Sequence, residues 1–330
     1  METKPIDVLT IGESMVLFQP ANSERISFSS LFSASVGGAE SNVATALSRL
    51  GLSTKWVSHL GDDPFAKIIL SALAGEGVDI TDVKLLENEK TAVFFKEKSI
   101  FDDPYVYYYR HESASSKITT DDIKDSWFKN AEHLHLTGIT LALGKGAREF
   151  VKGVMLKAKA FGMSISFDPN IRLKLQGKDF WRESVLELLP LVDVFMPGQD
   201  EAALLFGGLS DEDLIKTSLT YGPKITIIKL GKEGSLTGYN NHLHREPAIT
   251  VDGTIDTIGA GDAFAAGFLS FLLKNDFKNE HQDWMEMIPT AAKRASVMGA
   301  LATTYKGDWE GNPTLKELDH FMNGTQVNFR

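Results

Sequence analysis

Along this chain, short apolar runs alternate with longer stretches in which apolar residues recur at helical spacing. Asp7-Val8-Leu9-Thr10-Ile11 reads as a buried strand that ends in the loop Gly12-Glu13-Ser14. Met15-Val16-Leu17-Phe18 predicts a second short strand, closed by Gln19-Pro20. From Ile26 to Ser35 apolar residues alternate with Ser, which predicts a half-exposed antiparallel strand. Gly37-Gly38-Ala39-Glu40-Ser41-Asn42 then opens a helix carried by Val43, Ala46, Leu47 and Leu50 and stopped at Gly51. Lys55 to His59 is a further strand, and Pro64 stands near the first position of a helix over Phe65 to Ala74. Alternation of strand, loop and helix predicts a parallel sheet covered on both faces, with ligands at the carboxyl ends of its strands.

Two β-rich segments break that rhythm. Thr91 to Lys96 and Tyr105 to Arg110 have no helix between them and predict a hairpin joined by Glu97 to Pro104. With the two early strands they predict a small sheet standing off the main one. Period-two alternation puts Tyr108 and Arg110 on one face and Tyr107 and Tyr109 on the other. Exposed Tyr beside Arg suits a binding face, and edge-strand packing is the alternative. Regular alternation then resumes. His133 to Leu136 is a strand, and its two histidines share a face; no third metal ligand stands nearby, which favours packed or surface histidines. Ala147 to Ala160 is helical, and Ser164 to Phe167 is a strand ending in Asp168-Pro169-Asn170-Ile171-Arg172. Val192 to Met196 ends in Pro197-Gly198-Gln199-Asp200-Glu201, ahead of a helix over Ala202 to Phe206. Ile225 to Leu230 leads into Gly231-Lys232-Glu233-Gly234-Ser235, a turn that either lies against a nucleotide or only joins a hairpin. Pro289 to Thr304 is a long Ala-rich helix.

Composition narrows the function classes. The 330 residues are 43% hydrophobic and 24% charged, as in a soluble globular protein. No apolar run approaches the roughly 18 residues of a membrane span. Met1-Glu2-Thr3-Lys4-Pro5 leads straight into the first strand and leaves no room for a signal peptide. The absence of cysteine excludes disulfides, thiolate catalysis and Cys-ligated zinc, and a reducing cytoplasm is the expected compartment. A net charge of −10 argues against nucleic acid and anionic lipid as partners. An anionic substrate would need local arginines and helix N-termini to capture it.

The stretch richest in chemistry is Asp256-Thr257-Ile258-Gly259-Ala260-Gly261-Asp262, followed by the apolar run Ala263 to Phe268. Small residues at a helix start let several backbone N–H groups converge on one anion, which the helix dipole also favours. A carboxylate there is a poor phosphate ligand but a sensible base for an attacking hydroxyl. The combination suggests phosphoryl transfer from a nucleotide to an alcohol; an Asp N-cap on a buried helix is the plainer alternative. Gly37-Gly38 would allow close approach of a ligand, with Asn42 bonding its hydroxyls, unless they form an ordinary capped turn. The chain lacks the G-x-x-x-x-G-K-[ST] loop, the G-x-G-x-x-G fingerprint, the G-x-S-x-G elbow and the H-E-x-x-H helix.

Gly37-Gly38 with Asn42 and Ala44 running to Leu50-Gly51, and Asp256 to Asp262 with Phe264 and Gly267, resemble the two motifs of the ribokinase-like (PfkB) family of carbohydrate kinases. The resemblance runs along nearly the whole chain. It implies one α/β domain over 1–330 with a three-layer fold, a mostly parallel central sheet flanked by helices. A small β-lid would be formed by about 15–36 and 91–111. Within the family, Tyr107-Tyr108-Tyr109-Arg110, Asp168 to Arg172 and Gly307-Asp308-Trp309-Glu310-Gly311 most resemble kinases of 2-keto-3-deoxygluconate. The implied reaction is ATP-dependent phosphorylation of that sugar acid on its terminal hydroxyl, giving the 6-phosphate.

By the same resemblance, Asp262 is the base, and the backbone of Gly259, Ala260 and Gly261 the anion hole. Gly37, Gly38, Asn42, Phe94, Tyr108, Arg110, Asn170 and Arg172 bind the sugar acid, with Arg110 and Arg172 on its carboxylate. Lys229, Gly231, Gly234 and Ser235 border ATP, and Glu201 helps hold Mg2+. A neutral sugar would leave two arginines in the pocket without a partner, and unpaired buried charge is costly. A homo-oligomer, a dimer through the lid, is implied as well. The chain departs from the pattern at Gly198, where relatives usually carry Asn, at Ala66 in place of Gly, and at Phe94 in place of Tyr. Kinases of fructose or ribose are the alternative, followed by a silent sugar- or nucleotide-binding protein.

Overall fold

The computed structural model describes residues 5–22, 25–99, 104–278 and 284–324. Residues 1–4 and part of the connection from Glu97 to Pro104 lie outside the described residues. Fourteen strands are present among the described residues. The first half of the chain holds β1 (Ile6–Ile11), β2 (Met15–Pro20), β3 (Phe32–Gly37), β4 (Thr54–Val57), β5 (His59–Gly61), β6 (Lys84–Leu86), β7 (Val93–Glu97) and β8 (Tyr105–Tyr109). The second half adds β9 (Ala131–Thr137), β10 (Ser164–Asp168), β11 (Val194–Phe195), β12 (Ile225–Lys229), β13 (Ser235–Tyr239) and β14 (His242–Glu246). Eight of them form one sheet in the order β14-β13-β12-β11-β10-β9-β1-β4. It is parallel from β4 to β12, and β13 and β14 add an antiparallel edge.

Alternate side chains of these strands feed two cores, one per face. Val8, Val194, Ile225 and Ile227 meet the helices Ala39–Arg49, Ala260–Lys274 and Trp284–Ala302. Leu9, Phe167 and Phe195 pack on the opposite side against Phe150, Val154, Trp181 and Leu205 from three other helices. Both faces being covered explains why the parallel strands are nearly all apolar. Some of the polar exceptions bond one another, while His135 Nε2 and Thr54 Oγ1 are buried without a hydrogen-bond partner. His133 bonds Ser164 and Ser166 at 2.7 Å, and His135 bonds Ser166 at 2.8 Å, all buried within the sheet. The two histidines are packed, and no cluster of three metal-ligating side chains exists among the described residues.

The expected small sheet is there, in the order β3-β2-β7-β8. Its β7–β8 pair is antiparallel, whereas β2 runs parallel to β7. The strand expected over Ile26 to Ser35 is shorter than its alternation suggested. Ile26–Phe28 is a 3₁₀ turn, tied down where the Ile26 N–H donates to Glu97 Oε2 at 2.6 Å, and pairing starts only at Phe32. Lys55 to His59 likewise divides: β4 joins the main sheet, while β5 pairs with β6 in a separate two-stranded ribbon. Pro64 begins its helix as expected, with Asp63 capping it by accepting the Ala66 N–H at 2.9 Å. No helix among the described residues is long and apolar enough to cross a membrane.

Candidate active site

A cavity of about 990 Å³ opens at the carboxyl ends of β1, β10 and β12, between the main sheet and the small one. It is lined by Gly37, Gly38, Asn42, Phe94, Tyr108, Arg110, Asn170, Arg172, Glu201, Lys229, Gly231, Gly234 and the turn Gly259 to Asp262. Residues distant in the chain thus converge on one space. Ser235 does not join them. It opens β13 opposite Lys229, is fully buried, and is absent from the cavity wall, so the nucleotide role expected of it is not supported.

The turn at Gly259 is built for close packing. Gly259 has φ +82°, and a Cβ on it would overlap the carbonyl of Asp308. Asp262 then falls in the first turn of the helix Ala260–Lys274, where the N–H groups are still free of intrahelical partners. Burial pushes its carboxyl up to about 7, while the hydrogen bond from Asn42 and the nearby Lys229 pull the other way. Asn42 Nδ2 donates to Asp262 Oδ2 at 2.7 Å, and its Oδ1 accepts the Gly38 N–H at 3.3 Å. One amide therefore links the two glycine-rich motifs. Gly37 and Gly38 are required by crowding rather than by backbone twist: a Cβ on Gly37 would strike Asp308, and one on Gly38 would strike the Glu13 carbonyl.

Across the cavity, Lys229 Nζ pairs with Asp168 Oδ2. Burial alone would lower the Lys229 ammonium, but Asp168 and Glu201 raise it, so it stays charged. Glu201 accepts the Gly198 N–H and the Ile171 N–H, each at 2.6 Å, which caps its own helix and anchors the Asn170–Arg172 loop. Burial raises its carboxyl. Gly231-Lys232-Glu233 is a 3₁₀ turn joining β12 to β13, so the segment is a hairpin turn, and Gly231 and Gly234 also line the cavity.

The two arginines differ from the sequence argument. Arg110 is buried and already paired, with Nη2 2.5 Å from Glu13 Oε2, and its guanidinium lies over the Tyr108 ring at 5.6 Å. Glu13 also accepts the Ser113 hydroxyl. Arg172 is exposed at the cavity mouth, and no carboxylate pairs with it among the described residues. Neither arginine is thus an unpaired buried charge, so their presence alone does not demand an anionic substrate. Tyr108 stacks on Phe94 at 5.7 Å, an apolar wall where a tyrosine would have offered a hydroxyl.

Three sets of buried contacts around the site are not marked as such in their own segments. Glu13 with Arg110 is one. The others are Lys96 with Asp256 and Asp308, and Glu40, which is fully buried and bonded to the Thr137 and Thr140 hydroxyls at 2.7 and 2.8 Å. A polar residue inside an apolar strand, as Lys96 is, was the one available signal.

Glycine-rich turn, buried carboxylate and large cavity at the strand ends together define a kinase-type site, and residues 6–315 match the family model described as pfkB family carbohydrate kinase. The chain belongs to that family and is a sugar kinase, of a family that uses ATP. Among curated relatives it is 36% identical over 325 residues to 2-dehydro-3-deoxygluconokinase of Bacillus subtilis (strain 168), covering 98% of this chain and 97% of the relative. It is 30% identical to Fructokinase-2 of Oryza sativa subsp. japonica, covering 94% and 92%. Among solved structures it resembles a putative Ribokinase II from E. coli in complex with ATP and Mg2+, at TM-score 0.85 and 27% identity, covering 97% of this chain and 99% of the other.

Proposed function

We propose that this kinase phosphorylates 2-keto-3-deoxygluconate on its terminal hydroxyl with ATP. The observation that carries the reading is the placement of an unpaired Arg172 and the buried Asp262 on one cavity. A carboxylate at one end of the sugar acid would meet the guanidinium, and a hydroxyl at the other end would meet the base. The similarity to a gluconate-derived sugar acid kinase supports the same choice.

In this mechanism Asp262 accepts the hydroxyl proton as the sugar oxygen bonds to the γ-phosphorus and the bond to the β-phosphate oxygen breaks, releasing ADP. Alignment of the attacking oxygen matters as much as proton removal in a loose transition state. Backbone N–H groups of Gly259, Ala260 and Gly261 stabilise the charge on the transferring group. Gly37, Gly38 and Asn42 hold the sugar, Tyr108 and Phe94 cover it, and the Arg110–Glu13 pair reads hydroxyls as joint donor and acceptor. Gly231 and Gly234 leave room for the nucleotide, and Lys229 faces its phosphates.

Mg2+ normally takes one or two carboxylates, several waters and substrate phosphates. Glu201 and Asp168 fit that pattern, since each faces the cavity and retains lone pairs beyond its present partners. Bound there with the phosphates, the ion would neutralise their charge. The Gly198 departure leaves the capping bond to Glu201 intact through its backbone.

The small sheet acts as a lid that closes over the sugar and excludes water, which limits wasteful ATP hydrolysis. Exposed aromatic side chains on it and on the turn between β2 and β3 support a second role as a dimer contact: Tyr109 is 64% and Phe28 78% exposed. ATP supply and the lack of cysteine support a cytoplasmic setting.

Phosphorylation of a neutral ketose such as fructose is the second reading, favoured by the Glu13–Arg110 pair, which leaves that part of the pocket without net charge. ADP release with Mg-ATP and equal concentrations of 2-keto-3-deoxygluconate, gluconate, fructose and ribose separates the two. Strong preference for the keto-deoxy acid is expected. Preference for fructose would reject the carboxylate reading and retain Asp262 as base, and nucleotide binding without turnover on any of the four would reject both.

A further inference from the structure

Lys96 lies on β7 two residues from Phe94, so the two share a face of the small sheet. Phe94 stops at the cavity wall, whereas Lys96 reaches into the loops behind it. Its Nζ donates to Asp256 Oδ2 at 2.6 Å and lies 3.5 Å from Asp308 Oδ1. The three side chains are only 5%, 8% and 7% exposed. Asp256 in turn shapes the approach to the glycine-rich turn: its Oδ1 accepts the Ile258 N–H at 3.2 Å, and its Oδ2 accepts the Gly307 N–H at 3.3 Å. Asp308 presses its backbone on Gly259 and its carboxylate on Gly37.

One ammonium therefore ties the small sheet to both loops that set the position of Gly259. Among the described residues it makes the one ion pair between that sheet and the 256–262 turn. Stability does not account for it, because burying two carboxylates and an ammonium is generally no better than apolar packing of the same volume. We propose that Lys96 is a positioning residue for phosphoryl transfer, one that makes the geometry of the Gly259–Gly261 backbone depend on the position of the small sheet. The inference rests on reading that backbone as the anion hole. With the sheet seated on a sugar, Lys96 holds Asp256 and Asp308, and the N–H groups converge. With the sheet raised, the ammonium withdraws and they do not.

The test compares kcat, KM for both substrates and thermal unfolding in Lys96→Met, Lys96→Arg and the double variant Lys96→Met with Asp256→Asn. The double variant keeps the measurement available if the single one leaves too much buried negative charge to fold. Lys96→Met should lower kcat by about 10- to 100-fold with both KM values within about three-fold, the pattern of a misplaced transition-state contact. Lys96→Arg should recover most of that loss, and the double variant should not. The inference is overturned by a folded variant with wild-type kcat, by a loss confined to KM, or by full recovery in the double variant, which would make Lys96 a mere counter-charge. Wild-type protein that transfers no phosphoryl group to any sugar would instead overturn the reading of the site, and this inference with it.

Discussion

Asn42 offers the sharpest test of how the base is tuned. Its amide donates to Asp262 Oδ2 at 2.7 Å, and Asp262, buried and pushed up to about 7, is half ionised near neutrality. A hydrogen bond to a charged acceptor is worth about 1.5–3 kcal/mol, and one pH unit corresponds to about 1.4 kcal/mol. Asn42→Ala removes a bond that favours the ionised form, so the acid limb of kcat/KM should move up by about one to two pH units. At pH 7 the ionised fraction then falls from about one half to about 1–10%, a loss of roughly 5- to 50-fold. Near pH 9.5 most of it should return, leaving a pH-independent deficit from the lost contacts with Gly38 and with the sugar. The assay is kcat/KM from coupled ADP release between pH 5.5 and 10. Parallel profiles with an unmoved limb would show that Asn42 only binds substrate and does not set the ionisation of the base.

Asp262→Asn should lower kcat by roughly 10²–10⁴ with nucleotide affinity, read by titration calorimetry, almost unchanged. Wild-type turnover in that variant would remove Asp262 from the role. Arg172→Ala should raise KM for the keto-deoxy acid by about ten-fold, less than a buried pair would show because the guanidinium is exposed, and leave any fructose activity unaltered. Equal effects on acid and neutral sugar would mean that Arg172 does not read charge. His135 carries a pH prediction for stability. Burial lowers it to about 4 against an ordinary value of 6.5, so between those limits the unfolded chain takes up a proton that the folded one refuses. Its contribution is present above 6.5 and lost as pH falls to 4, about 3 kcal/mol in all. Urea unfolding of His135→Asn should show a shallower decline over that window, and an unchanged slope would contradict the assignment.

The sequence carried the fold class and the elements that depend on neighbours in the chain. Strand–helix alternation produced the main sheet, and the helixless pair at 91–110 produced the small one. Gly259-Ala260-Gly261-Asp262 was legible because a glycine turn, a helix start and an acid are local features. What escaped were contacts that only the closed fold creates. Lys96 meets Asp256 across 160 positions and Asp308 across 212, and nothing in their own segments marks them as partners. Glu13 sits in a loop that reads as a simple strand end, yet its carboxylate forms an ion pair with Arg110 and changes what that arginine says about the substrate. Ile26 to Ser35 alternates like a strand, but the bond from Ile26 N–H to Glu97 turns its first half into a 3₁₀ bend. Ser235 looked like a nucleotide contact because it follows Gly234, whereas β13 turns its side chain into the core.

The most direct test of the central claim is to give the enzyme Mg-ATP with an equimolar mixture of 2-keto-3-deoxygluconate and fructose, and to identify the product by phosphorus and carbon NMR. The account predicts one dominant phosphomonoester, its phosphorus coupled to C6 of the sugar acid, with fructose left unmodified. A fructose phosphate as the main product would contradict it.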